Sequence, residues 1–166
     1  MISFRKVTKK DVPIILKWWN DGNVMKDVGF PQGLNLTHDE VVQSIKGYQE
    51  QPQANFFVIL DEDKKVIGEF CFKVIREKVA TFDIKVGEIN NQGKGYGRQS
   101  VLQGIEYIKR IETINLIEIE VSPENSRAIS LYQSIGFHEV KRLPNHWKDG
   151  LGNLRDTIVY QLEIKR

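Results

Sequence analysis

The stretch 90–101, NNQGKGYGRQSV, decides how this chain is read. Gly93, Gly95 and Gly97 alternate with Lys94 and Tyr96, and the segment joins a strand-like run to a helix-like one. Glycines admit close backbone approach and a helix N-terminus favours negative charge, so the junction has the make-up of a phosphate cradle. Lys94 and Arg98 add positive charge beside it. Two familiar phosphate loops do not fit. A P-loop needs G-x-x-x-x-G-K followed by Ser or Thr, but Lys94 precedes Gly95, and Gly87 is one residue too far from Gly93. A dinucleotide fingerprint needs G-x-G-x-x-G. Gly93 and Gly95 start it, yet the third glycine falls at 97 and position 98 is Arg98. The same residues also describe a plain glycine-rich turn with solvated basic side chains.

Working outward, VATFDIKVGE (79–88) alternates as a strand, with Ala80, Phe82, Ile84 and Val86 on one face. After the glycines, Val101, Ile105 and Ile108 recur at helical spacing. NLIEIEVS is a further strand that sets Ile117, Ile119 and Val121 against Glu118 and Glu120. ENSRAISLYQSIG is a short helix closed by Gly136. FHEVKRLPNHW and RDTIVYQLEI finish the chain as strands across KDGLGN. Upstream, FFVIL and VIGEFCFKVI flank the charged turn DEDKK as a hairpin. ISFRKV opens as a strand. Two helices follow it: one capped by Thr8 with Asp11 three residues on, the other by Thr37 with Glu40. VMKDVGFPQGLNL between them reads as a loop. The predicted order is β-α-α-β-β-β-α-β-α-β-β, an α/β fold in which helices cover one mixed sheet.

At 166 residues the chain forms a single domain over 1–166, with room for a core that needs no disulfides. A net charge of +2 gives no pull toward nucleic acid or membrane, and the three histidines lack metal-ligand spacing. MISFRKVTKKD has no apolar signal segment, and the single cysteine, Cys71, lies in an apolar run as a core residue. Together these predict a reducing, cytoplasmic setting.

Three segments carry a resemblance to the GNAT superfamily of acyl-CoA-dependent N-acetyltransferases. QGKGYG (92–97) matches its R/Q-x-x-G-x-G/A pyrophosphate loop. NSRAISLYQSIGF (125–137) matches its Asn…Ala…Leu-Tyr…Gly-Phe segment. LKWWNDGNVMKDVGF resembles the opening of the branch holding ribosomal-protein N-terminal and spermidine N-acetyltransferases. The order of elements agrees from end to end. The resemblance implies acetyl-CoA as co-substrate, no metal, and transfer of its acetyl group to a primary amine by direct attack in a ternary complex. Acceptors would be a protein N-terminus, a polyamine, an amino sugar or an amino acid. It leaves room for a homodimer, and for a non-catalytic acyl-CoA-sensing module on the same fold.

The resemblance also implies a site. Gln92, Gly93, Lys94, Gly95, Tyr96, Gly97 and Arg98 would hold the pyrophosphate, and the backbone of Lys85, Val86 and Gly87 the pantetheine arm, beside a cleft where the fourth and fifth strands splay. Asn125 and Ala128 would contact the cofactor arm. Acetyl transfer to an amine needs a base for the ammonium, a donor for the oxyanion and a proton for the thiolate. Tyr132, seven residues after Asn125 and on one helix face with it, is the candidate acid; an apolar stripe of Ala128, Leu131 and Ile135 offers it a packing role instead. Glu120 is the candidate base, with Asp83 and Glu88 as alternatives, and a solvent-facing partner of Glu118 as its plainer reading. Trp18, Trp19 and Tyr48 are cleft or core aromatics, and Asp27, Asp39 and Glu40 candidate contacts for the acceptor ammonium.

Overall fold

A computed structural model describes residues 1–87 and 93–166. The alternating runs become seven strands: β1 (Ser3–Lys6), β2 (Asn55–Leu60), β3 (Val66–Arg76), β4 (Val79–Val86), β5 (Leu116–Val121), β6 (His138–Lys148) and β7 (Leu154–Glu163). They form one sheet in the order β1-β2-β3-β4-β5-β7-β6. Every neighbouring pair is antiparallel except β4–β5. That one parallel step is what the crossover through an intervening helix requires.

Among the described residues five α-helices accompany the sheet: α1 (Val12–Trp19), α2 (Gly22–Met25), α3 (His38–Gln49), α4 (Tyr96–Lys109) and α5 (Ser126–Ile135). Pleating sorts the core in two. One cluster joins Phe70, Ala80, Phe82, Ile117 and Ile119 to Val101, Ile105 and Ile108 of α4 and to Tyr132 of α5. The other joins Phe56, Val58 and Cys71 to α1 and α3 through Ile15, Trp18, Trp19, Val41 and Ile45. At Gly104 a β-carbon would come within 2.0 Å of the Phe70 ring, so glycine lets α4 press directly on the sheet.

The predicted order holds, with two differences near the N-terminus. Thr8 and Asp11 form the expected capping box, but they cap a 3₁₀ turn (Lys9–Asp11) that leads into α1. The segment read as a loop begins as α2 and a second 3₁₀ turn (Lys26–Val28). Asp21 caps α2 by accepting from the Asn23 N–H at 2.8 Å. A four-residue helix gives no periodicity to read. It is held by tertiary approach: a β-carbon on Gly22 would meet the Pro31 carbonyl at 1.9 Å.

Candidate active site

β4 and β5 pair only at Val79–Leu116 and Ala80–Ile117. Beyond those pairs the strands part, as the fold reading expected, and a cleft of about 510 Å³ opens between them. The partly buried state of Ile84 and Val86, on the same face as the buried Ala80 and Phe82, follows from this opening.

The glycine turn forms one wall. Gly93 and Gly95 both take left-handed backbone at φ 78°, and Gly95 is the N-cap of α4. Among the described residues no side chain caps that helix, and its first turn has no acidic residue, so nothing described there compensates its leading N–H groups or the positive end of its dipole. Among the described residues, a β-carbon at Gly93 or Gly97 would meet nothing within 4 Å. α5 repeats the pattern: its first turn also lacks an acid. Asn125 accepts from the Ala128 N–H at 3.3 Å as its cap. Arg98, in the first turn of α4, and Arg127, in the first turn of α5, both line the cleft. A cation in the first turn opposes the helix dipole, so each of these helix starts gathers positive charge at the cleft. Arg98 is further steadied by a 2.6 Å hydrogen bond to the Ser134 hydroxyl of α5.

Lys85, Val86 and Gly87 differ in what their backbones offer. The Gly87 N–H already donates to the Ile67 carbonyl at 2.7 Å, on the β3 side. Alternation then turns the Val86 groups toward the open edge of β4. Gly87 has a different steric task, since a β-carbon there would lie 1.9 Å from the indole of Trp18, which is fully buried.

Tyr132 lines the cleft from α5, 9% exposed, with its ring edge-on to Phe82 at 5.9 Å and to Phe137 at 5.6 Å. Burial pushes its phenol pKa well above the ordinary tyrosine range, so the hydroxyl keeps its proton. Glu120 is exposed and lines the cleft near the end of β5. Its neighbour Glu118 is differently employed. It receives Arg76 Nη2 at 2.8 Å, Arg76 Nη1 at 2.9 Å and Gln161 Nε2 at 2.9 Å. The Arg76 hydrogen bonds pull its carboxyl down to about 2 against partial burial. Asp83 and Asp27 also line the cleft.

Other candidates fall elsewhere. Trp18 and Trp19 are core residues, and Tyr48 packs edge-on to Phe56 at 5.7 Å. Glu40 is engaged in the α3 capping box with Thr37, and Asp39 is a solvated residue of that first turn. Cys71 is buried, and burial beside Glu69 and Asp83 pushes its thiol pKa up, as a core role requires. Tyr96 turns its hydroxyl away to Glu62 at 3.3 Å, leaving only its backbone at the turn. Lys94 is exposed and does not line the cleft. Gln92 and Glu88 lie outside the described residues. The sequence reading missed Arg127, together with Val24 and Val28, which line the cleft. The misplaced positive charge in the α5 first turn was the available signal.

A parallel-then-splayed strand pair, a glycine turn opening a helix and two arginines at helix starts make up this cleft. The chain belongs to the family described as acetyltransferase (GNAT) domain, whose match spans residues 2–138. It is an acetyl-CoA-dependent N-acetyltransferase, the family's general reaction being acetyl transfer from acetyl-CoA to an amine. Over 169 aligned residues it is 28% identical to an uncharacterized N-acetyltransferase p20 of Bacillus licheniformis, covering 99% of this chain and 93% of that one. It is 26% identical to the spermidine N(1)-acetyltransferase of Vibrio cholerae serotype O1, covering 83% of this chain and 79% of that one. In fold it resembles the crystal structure of the Vibrio cholerae spermidine N-acetyltransferase with CoA and spermine. There the TM-score is 0.85 at 24% identity, over 98% of this chain and 95% of that one. It also resembles a ribosomal-protein-alanine N-acetyltransferase from Brucella melitensis. That TM-score is 0.82 at 20% identity, over 98% of this chain and 99% of that one. Among the described residues no group of His, Cys, Asp and Glu could hold a metal ion, and no helix is long and apolar enough to cross a membrane.

Proposed function

We propose that the chain acetylates a primary amine by direct attack within a ternary complex, and that the cleft holds both reactants. The carrying observation is that the cleft is lined by two kinds of charge. Arg98 and Arg127 stand on two helix starts, while Asp27, Asp83 and Glu120 stand on the 24–28 turn and on β4 and β5. The first set, with the glycine-turn N–H groups, suits a pyrophosphate; the second suits an ammonium.

Bound acetyl-CoA supplies the acetyl thioester. Gly93, Gly95, Gly97 and Arg98 hold its phosphates, Asn125 and Ala128 flank the arm, and Val86 offers the arm its strand-edge backbone groups. Glu120 takes a proton from the ammonium, directly or through water, because it is exposed to the cleft. Tyr132 stays protonated at neutral pH and so donates a hydrogen bond or its proton to the departing sulfur. No side-chain nucleophile is needed, and the buried Cys71 suits a reducing compartment such as the cytoplasm.

Kinetics test the order of events. Initial rates measured against both substrates should give intersecting double-reciprocal lines. Parallel lines, the mark of a covalent acetyl-enzyme, would overturn direct attack. The likeness to spermidine N-acetyltransferases supports placing polyamines first among the acceptors tried, ahead of peptides with a free N-terminus, amino sugars and amino acids.

A further inference from the structure

Beneath Trp19 lies a charged group the reaction above does not use. Glu69 of β3 is 1% exposed. Its Oε1 accepts from the Trp19 indole N–H, while Oε2 is buried and has no partner among the described residues. Register places Glu69 directly opposite Lys85 of β4. The Lys85 ammonium lies 3.7 Å from Glu69 Oε1 and 2.8 Å from Asp83 Oδ2, with the Trp19 ring 6.0 Å away. Asp83 differs from Glu69 in exposure: its side chain is 57% accessible and lines the cleft. One ammonium is thus shared unequally between a cleft carboxylate and a buried one that is not fully satisfied.

An incompletely paired buried carboxylate is costly, and a nearby cation relieves that cost. Burial pulls the Lys85 ammonium down, but the Asp83 and Glu69 carboxylates outweigh it and hold it above the ordinary lysine range. Burial likewise pushes the Glu69 carboxyl up, against the pull of Lys85 and the Trp19 N–H. With all three ionised, the group carries one net negative charge, enough for one incoming ammonium.

Resting on the acceptor reading above, we propose that Glu69 is a positioning residue that gives Lys85 a second seat, so that Asp83 can release Lys85 and take the acceptor ammonium. An arriving cation repels Lys85 from Asp83. Lys85 closes on Glu69, and the Asp83 carboxylate is left to orient the amine. No bond is made or broken; the Lys85–Asp83 ion pair is exchanged for one between Asp83 and the acceptor ammonium, while the Lys85–Glu69 pair closes up.

The test is steady-state kinetics with the acceptor that wild type turns over. Glu69→Gln keeps the side-chain shape and an oxygen for the Trp19 N–H but removes the charge. It should raise the acceptor KM about tenfold, leave the acetyl-CoA KM unchanged and keep kcat within about twofold. In a Lys85→Met background the same change should alter the acceptor KM less than about twofold, because the ion to be seated is gone. Should Glu69→Gln not fold, Glu69→Asp keeps the charge one methylene further back and should give a smaller rise in acceptor KM. Equal effects of Glu69→Gln with and without Lys85, or an unchanged acceptor KM in Asp83→Asn or in the Glu69 variant that folds, overturn the proposal while leaving the acetyltransferase reading intact. Wild type that turns over no amine defeats the acceptor reading, and this proposal with it.

Discussion

Asp83 of β4 and Glu120 of β5 stand on one face of two strands that pair only at their first residues, and both line the cleft where those strands part. Alternation puts them there. Ala80 and Phe82 share the opposite face with Ile117 and Ile119, in the cluster that packs on α4. Two carboxylates therefore bracket the opening from either side.

Of the two, Asp83 is occupied by Lys85 at 2.8 Å, whereas Glu120 is exposed to the cleft. Glu120→Gln should accordingly lower kcat by about 10²-fold, the low end for general acid–base catalysis, with acetyl-CoA binding unchanged. Initial rates together with calorimetric titration of acetyl-CoA check this. A wild-type kcat would remove Glu120 from proton transfer.

For Tyr132, deleting the hydroxyl separates chemistry from packing. Tyr132→Phe retains the rings' edge-on contacts with Phe82 and Phe137. The melting temperature should stay within a few degrees and kcat should fall about 10²-fold. An unchanged kcat in the folded variant means that Tyr132 only packs.

Gly97 gives the cleanest probe of the phosphate cradle. It lies within α4, and a β-carbon there meets nothing within 4 Å, whereas Gly93 and Gly95 have φ values that strain any side chain. Gly97→Leu should stabilise the fold by about 0.5 kcal/mol through helix propensity, yet weaken acetyl-CoA binding at least tenfold by filling the ligand's space. Opposite signs in a melting curve and a binding titration are the expected pair. Unimpaired binding would move the cradle elsewhere.

Acid should loosen the closed end of the cleft. Arg76 of β3 grips Glu118 of β5 across β4, just where the pairing of β4 with β5 begins. The Glu118 carboxyl is lowered to about 2 in the folded chain. Its unfolded value is about 4.3. Stability from this group is therefore complete above the unfolded value and is lost as pH falls through about 2. Urea melts across that range should show a shallower acid loss for Glu118→Gln than for wild type. Parallel losses would mean that Glu118 is not the group being titrated.

Much of this was legible before any coordinates. Strand alternation in 79–86 and 116–121, helical spacing in 101–108 and the closing Gly136 mark their elements because burial enforces those periods. The glycine turn was legible because only glycine takes φ 78° freely, as at Gly93 and Gly95. What was illegible depends on approach between distant segments. Gly87 looks like part of the cofactor strand, but its missing side chain makes room for Trp18. Glu69, a lone acid in the apolar run VIGEFCFKVI, gave a signal that was passed over; its meaning depends on Lys85 lying opposite across two strands. Arg127 needed the helix start to be known before its charge looked misplaced.

The most direct measurement is free-thiol release from acetyl-CoA over a panel of primary amines, with the acetylated product identified by mass. The account predicts thiol release that depends on at least one primary amine, saturates with it, and yields that amine's N-acetyl derivative. Acetyl-CoA binding without amine-dependent release from any of them would contradict it and mark the chain as a binding module on an acetyltransferase fold.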